Sequence, residues 1–216
     1  MRLRKVKHAG ETIRNNPKYV IAYPESKKGL WNKTFGNNNP ISLEIGCGKG
    51  LFLMEMARKN PDVSLIGIEK FDSVLVRALE KLIIDPLPNL LFVLADAVDV
   101  DLFFDSDEIK HIYINFPDPW PKTRKAKYRL TNEAFLPKYR QILSENGKVY
   151  LRTDNFPMFE YSMMSINRSD DFSITDIALG KGIESDGYVE TEFEIKYRKM
   201  GLPIFYLEAS VERSRK

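Results

Sequence analysis

From position 41 onward, two hydrophobic rhythms alternate along the chain. Short continuous apolar runs read as strands buried on both faces, and stretches with apolar residues every three or four positions read as helices. Ile41–Gly46 predicts a strand, and Gly50–Lys59 a helix with Leu51, Met54 and Ala57 or Met56 turned inward. Ser64–Glu69 predicts the second strand, and Asp72–Ile84 the second helix, with Asp72 as its cap. Leu90–Asp96 and His111–Phe116 follow as strands three and four. Thr131 is expected to cap a helix running through Leu143, and Gly147–Asp154 makes a fifth strand. Beyond Phe172 the strand signals crowd together, and Pro203–Val211 reads as a late strand. Alternating strands and helices build βαβ units, so the expected fold is α/β with a doubly wound, mostly parallel sheet. The tail is expected to close that sheet with an antiparallel C-terminal hairpin.

Turn formers at Thr34–Pro40 read as a linker. The expected organisation is a basic N-terminal arm and linker over 1–39 and a main domain over 40–216. A chain of 216 residues, 43% hydrophobic and 29% charged, is long and apolar enough for a core, which excludes a disordered chain. The single cysteine, Cys47, excludes an internal disulfide and a cysteine-based zinc cluster. His8 and His111 lack ligand spacing, so no metal is expected, and His111 at a strand start reads as structural. No apolar leader follows Met1 and no apolar run approaches membrane-spanning length, so a cytoplasmic protein with no membrane partner is expected. Monomer and homodimer both remain open.

Charge changes the picture. The net charge is +3, yet residues 1–33 hold nine Lys or Arg against Glu11 and Glu25, a local +7. The rest then holds 24 basic and 28 acidic residues, or −4. A basic arm on a mildly acidic body points to a polyanionic partner, although a solvated terminus has the same composition.

The chemistry begins where the first strand ends. Glu44-Ile45-Gly46-Cys47-Gly48-Lys49-Gly50 places three glycines at alternate positions between strand and helix. Such a turn lets backbone approach a ligand at the start of a helix. A dinucleotide fingerprint would need its third glycine at Leu51, and a phosphate loop would need Ser or Thr after Lys49; neither fits. The pattern resembles the first motif of class I S-adenosylmethionine methyltransferases, with Rossmann-like architecture. Glu69 ends the second strand, where a carboxylate can accept two ribose hydroxyls, and Asp96 ends the third, towards an adenine edge. Three acids at successive strand ends, Glu44, Glu69 and Asp96, lie on the edge where open α/β sheets bind ligands.

The fourth strand runs into Asn115-Phe116-Pro117-Asp118-Pro119-Trp120-Pro121-Lys122. Phe116 and Asp118 depart from the N/D-P-P-Y/F string of amino-group methyltransferases. The segment resembles instead the P-D-P-W-P-K motif of bacterial tRNA (guanine-N7-)-methyltransferases, and the likeness runs from Glu44-Ile45-Gly46 through Thr191-Glu192-Phe193-Glu194. That resemblance implies S-adenosylmethionine held by Glu44, Glu69, Asp96 and Asp118, with Gly46 and Gly48 in the cofactor turn. It implies guanine handled by Lys122, Asp154, Thr191, Glu192, Phe193 and Glu194. Arg124, Lys125, Ala126, Lys127, Tyr128 and Arg129 would touch RNA, and the acceptor would be N7 of guanine 46 in the tRNA variable loop. From the residues alone, Lys122–Arg129 holds five positive charges, one aromatic and no acid, suited to phosphates and stacking but equally to a solvated loop. Thr191-x-x-Glu194 also reads as a capping box for a helix ended by Gly201 and Pro203. N7 carries a lone pair and no proton, so direct in-line attack without a general base is expected, with Asp118 as the catalytic acidic group and no covalent role for Cys47. A small-molecule methyltransferase, a nucleotide-binding oxidoreductase and a non-catalytic RNA-binding module remain open from the residues themselves.

Overall fold

In the computed structural model, which describes residues 5–180 and 189–212, strands form where the continuous apolar runs place them. Arg2 and Arg4 of the expected arm lie outside the described residues. The chain divides into two units, Met1–Asp105 and Ser106–Lys216.

The stretch expected as arm and linker contains α1 (Ala9–Arg14), β1 (Val20–Ile21) and α2 (Trp31–Phe35). Ala9 and Ile13 bury one side of α1, which packs on α4 (Asp72–Ile84), and β1 pairs in parallel with β4 (Leu90–Leu94). Trp31 is fully buried; its indole N–H donates to the Phe103 carbonyl at 2.9 Å and its ring stacks on Phe104 at 5.3 Å. The linker signal is a helix end: Gly36 closes α2 at φ 73°.

β2 (Ile41–Ile45) and β3 (Ser64–Glu69) pair in parallel, and β3 pairs in parallel with β4, giving the order β1-β4-β3-β2. Every residue of β2 and β3 is buried, which is why these strands read as unbroken runs rather than alternating ones. The helix α3 (Leu51–Lys59) connects β2 to β3 and buries Phe52, Leu53, Met54 and Ala57; α4 buries Leu75, Val76, Ala78, Leu79 and Leu82. Asp72 is the first residue of α4 rather than its cap, and its carboxylate accepts from the Ser73 amide and hydroxyl at 2.5 and 2.9 Å. A short α5 (Val100–Phe103) ends this unit.

In the second unit, β5 (Ile109–Asn115) pairs in parallel with β6 (Leu143–Thr153). β8 (Phe205–Val211) runs antiparallel to β6, and β7 (Phe172–Leu179) antiparallel to β8. The antiparallel closure is therefore present, with the last strand inserted beside β6. The helix expected from Thr131 begins at Leu136 as α6 (Leu136–Ile142), with Pro137 in its first turn. Thr131 instead turns inward, its hydroxyl 2.7 Å from that of buried Ser162. Two helices follow, α7 (Phe156–Asn167) and α8 (Glu192–Lys199). α7 had no counterpart in the sequence pattern; Pro157 there occupies the first turn, where its missing N–H costs nothing, and Asn155 caps by accepting from Met158.

His111 on β5 meets the rings of Tyr113 and Tyr150 at 6.4 and 5.5 Å, and burial pushes its imidazole down to about 4, with Lys110 and Lys148 adding to the shift and Glu208 opposing it.

Two outcomes follow from these packings. Trp31→Ala is expected to lower unfolding free energy by about 3–5 kcal/mol in denaturant titration; a loss near zero would detach the N-terminal segment from the fold. Because His111 is held neutral, stability is complete above its ordinary pKa of 6.5 and declines as pH falls from there towards 4. The decline should reach roughly 3 kcal/mol, the His111→Gln variant should lack it, and equal acid slopes in the two proteins would refute it.

Candidate functional site

In the first unit the parallel strands end together. Glu44 sits opposite Gly67, and Glu69 opposite Leu94, so the carboxyl ends of β2, β3 and β4 form one edge. The turn after β2 places Gly46, Gly48 and Gly50 at φ 77°, 57° and 71°, a region that side chains disfavour. The three have different tasks. A side-chain carbon at Gly50 would lie 2.7 Å from Phe92 Cζ and 3.0 Å from Ala78 Cβ, so this glycine lets α3 settle onto the sheet. At Gly46 the same carbon would meet open space, and at Gly48 only the Gly46 carbonyl at 4.0 Å. Those two present backbone that a ligand can approach.

Glu69 crosses the turn. Its carboxylate accepts from the Gly48 amide at 3.3 Å and the Phe71 amide at 3.0 Å, while burial still holds the carboxyl above its usual range. Glu44, also buried, lies close enough that burial first, then the charges of Glu44 and Glu69, raise the Cys47 thiol well above its ordinary value. A thiol held that way is no nucleophile. Asp96 lies two residues past the end of β4, is exposed, and caps the next turn by accepting from Val98 at 3.2 Å.

The second unit groups the other candidates. β5 gives way to the proline loop at Phe116, whose amide makes a last bond to the Arg152 carbonyl at 2.8 Å. Phe116 and Trp120 both adopt positive φ, 47° and 42°, a strained backbone for bulky residues. The Phe116 ring packs on Phe193 and Tyr197 of α8 at 5.7 and 5.6 Å. Asp154, exposed just past β6, accepts from the Tyr197 hydroxyl; burial, then that charge and bond, raise the tyrosine. Asp118 and Lys122 are exposed on the loop.

Thr191 and Glu194 form the capping box, the Glu194 amide donating to the Thr191 hydroxyl at 3.0 Å and the Thr191 amide to Glu194 Oε2 at 3.1 Å. Glu194 is fully buried and also faces Arg152 at 3.5 Å and Arg198 at 3.7 Å. Glu192 and Phe193 are exposed. Sequence reasoning missed Arg152 and Tyr197, and no local signal marks the first. An aromatic pair four apart, Phe193 and Tyr197 on one helix face, was the available sign for the second.

Thr123–Tyr128 forms a 3-10 turn that Arg129 ends; Arg124, Lys127 and Tyr128 are exposed, and Lys125, Ala126 and Arg129 half-buried. The Trp120 and Tyr128 rings lie 5.3 Å apart, with the Lys125 ammonium 5.8 and 4.8 Å from their centres and that of Lys127 5.3 Å from Tyr128. Aromatic faces edged by cations suit stacking bases and phosphates. Among the described residues, no helix is long and apolar enough to cross a membrane.

A family model described as "Putative methyltransferase" matches residues 38–207. A tRNA (guanine-N(7)-)-methyltransferase of Bacillus cytotoxicus is 44% identical over 97% of this chain and 96% of its own length. One of Geobacillus thermodenitrificans is 47% identical over 97% of both chains. The crystal structure of a mutant 16S rRNA (adenine(1408)-N(1))-methyltransferase with cosubstrate SAM, from Catenulisporales acidiphilia, superposes with a TM-score of 0.64 over 89% of this chain and 93% of its own at 14% identity, a likeness of fold.

Because Gly50 is fixed both by its φ and by Phe92, Gly50→Ala should destabilise the protein by about 1–3 kcal/mol. Denaturant unfolding reads this directly, and wild-type stability in that variant would mean α3 does not approach the sheet this closely.

Proposed function

Because this chain belongs to the tRNA (guanine-N(7)-)-methyltransferase family, we propose that it methylates N7 of a guanine in tRNA, guanine 46 of the variable loop, with S-adenosylmethionine as donor. The observation behind this reading is the 44–47% identity to enzymes of that name over nearly the whole chain. The basic, aromatic-lined turn at Arg124–Tyr128 supports an RNA substrate, and the family's bacterial members support a cytoplasmic site of action.

The residues of the first unit fit the donor. Gly46 and Gly48 leave room for its backbone contacts, and the Glu69 carboxylate, already fixed by two amides, is oriented to accept ribose hydroxyls. Asp96 takes the adenine edge and Glu44 lends negative charge beneath the turn. When bound, the sulfonium supplies an electrophilic methyl group.

On the acceptor side, N7 offers an in-plane lone pair and no proton, so no side chain has to act as a base. What the protein supplies is alignment, which is worth up to roughly 7–11 kcal/mol, and a negative charge for the positive charge that develops on the purine. Asp118 carries that charge. Lys122, Asp154 and the Thr191–Glu194 segment hold the guanine, Asp154 being oriented by the Tyr197 hydroxyl and the segment by its cap and by Arg152.

Incubation with radiolabelled donor and unfractionated tRNA should yield N7-methylguanosine on nucleoside analysis, mapped to position 46. The single-turnover rate should stay nearly flat between about pH 6.5 and 8.5, because N7 has no proton to lose before it attacks. Asp118→Asn should slow transfer at saturation by one to three orders of magnitude, about 1.4–4 kcal/mol. A rate rising tenfold per pH unit would instead reveal a proton removed from the acceptor, and the N7 reading would be wrong.

A further inference from the structure

The proline loop has an unusual problem. Pro117, Pro119 and Pro121 remove every second backbone donor, so the segment cannot hold itself by its own hydrogen bonds. Each residue before a proline is also restricted, and two of these, Phe116 and Trp120, sit at positive φ. Strain of this kind persists only where the surroundings over-determine it. Phe116 is fixed by its amide and by the rings of α8. Trp120 needs another anchor.

Arg129 supplies one. Its Nε donates to the Pro119 carbonyl and its Nη2 to the Trp120 carbonyl, both at 3.0 Å, so one planar fork grips two consecutive acceptors on either side of the strained residue. The guanidinium lies 4.3 Å from the centre of the Tyr161 ring on α7. That ring is fixed in turn, because the Asn132 side-chain amide donates to its hydroxyl at 2.6 Å, and the Asn132 backbone amide donates to the Arg129 carbonyl at 2.9 Å. Only a guanidinium can meet two acceptors and a ring face together.

We propose that Arg129 is a positioning residue for the Asp118 loop, locked between Tyr161 and the Pro119 and Trp120 carbonyls, and that RNA contact falls to its neighbours Lys125 and Lys127. This rests on the proposed function for the role of Asp118, but the clamp itself does not. It divides the basic turn, which composition presents as five equivalent charges, into a structural cation at one end and substrate-facing cations before it.

The test sets the clamp variants Arg129→Lys and Tyr161→Leu beside Arg129→Ala and Lys127→Ala in the full-length protein, with melting temperatures confirming that each folds. Arg129→Lys keeps the charge and loses the fork, so transfer at saturating donor and tRNA should fall by about 10²-fold, as misplaced catalytic groups do. Its tRNA affinity should stay within about twofold of wild type, with an unchanged salt slope. Tyr161→Leu, which removes no charge, should lose rate in the same way. Lys127→Ala should act on binding instead, weakening tRNA affinity and lowering the salt slope by about 0.7–0.9. Because Trp31 is fully buried, iodide quenching of tryptophan emission reports Trp120, and it should rise in both clamp variants. If Arg129→Ala lowers the salt slope by one phosphate's worth while keeping full rate at saturation, Arg129 is an RNA contact and the proposal falls. Unchanged quenching in both clamp variants overturns it as well. Should wild type fail to methylate tRNA at all, the functional reading fails, while the quenching comparison still decides whether the clamp exists.

Discussion

The ring of Phe92 occupies the space that side chains at Gly50 and Gly67 would need, 2.7 and 2.9 Å from where their first carbons would stand. Gly67 would also meet Leu53 and Cys47, at 2.6 and 2.8 Å. One aromatic side chain on β4 thus reaches the start of α3 and the middle of β3, and the helix lies against the sheet because both positions are bare. The consequences run outward from that contact. With α3 this close, the chain has only five residues in which to leave β2 and start a helix, so it must turn through positive φ at Gly46 and Gly48. Those turns expose amides, and the nearest carboxylate, Glu69, takes one of them. The open backbone at Gly46 and Gly48 and the fixed Glu69 carboxylate both follow from that close packing.

The second unit solves the opposite problem. Its loop after β5 is rigid through proline but poor in internal hydrogen bonds, and its shape is imposed by side chains from elsewhere: rings of α8 at Phe116 and the guanidinium of Arg129 at Trp120. A buried Arg152–Glu194 pair does similar work for the start of α8, together with the Val189 carbonyl that Arg152 also binds at 2.9 Å. Burying such a pair is not a strong source of stability, since desolvation offsets much of the attraction. Its value lies in specifying one arrangement of the segment that follows residues 181–188.

How much of this was legible follows from what kind of signal each part leaves. Strands buried on both faces announce themselves, and β2, β3 and β4 appear within a residue or two of where the apolar runs put them. Glycines at alternate positions and acids at strand ends are equally visible, because each residue type there answers a local demand. Long-range demands leave less trace. Thr131 looks like a helix cap in sequence, but its hydroxyl is claimed by Ser162, thirty-one positions away. α7 hides behind Pro157 because a proline is silent about whether it begins a helix or breaks one. Arg129 sits in a run of cations from which nothing local separates it; only Tyr161 and two carbonyls do.

The N-terminal segment makes the same point through charge. Its sequence reads as a basic tail, yet Ala9, Ile13, Val20 and Trp31 are buried, and the Lys28 ammonium donates to the Asp101 carbonyl at 2.9 Å. Lys5, Lys7, Arg14, Lys18 and Lys33 remain exposed on that folded scaffold. The distinction matters for how any polyanion would meet this surface. A loose basic tail must be ordered when it binds, which offsets part of its electrostatic gain, whereas cations on a packed surface have already met that cost during folding. Among the described residues the positive field of this segment is therefore a fixed feature of the surface.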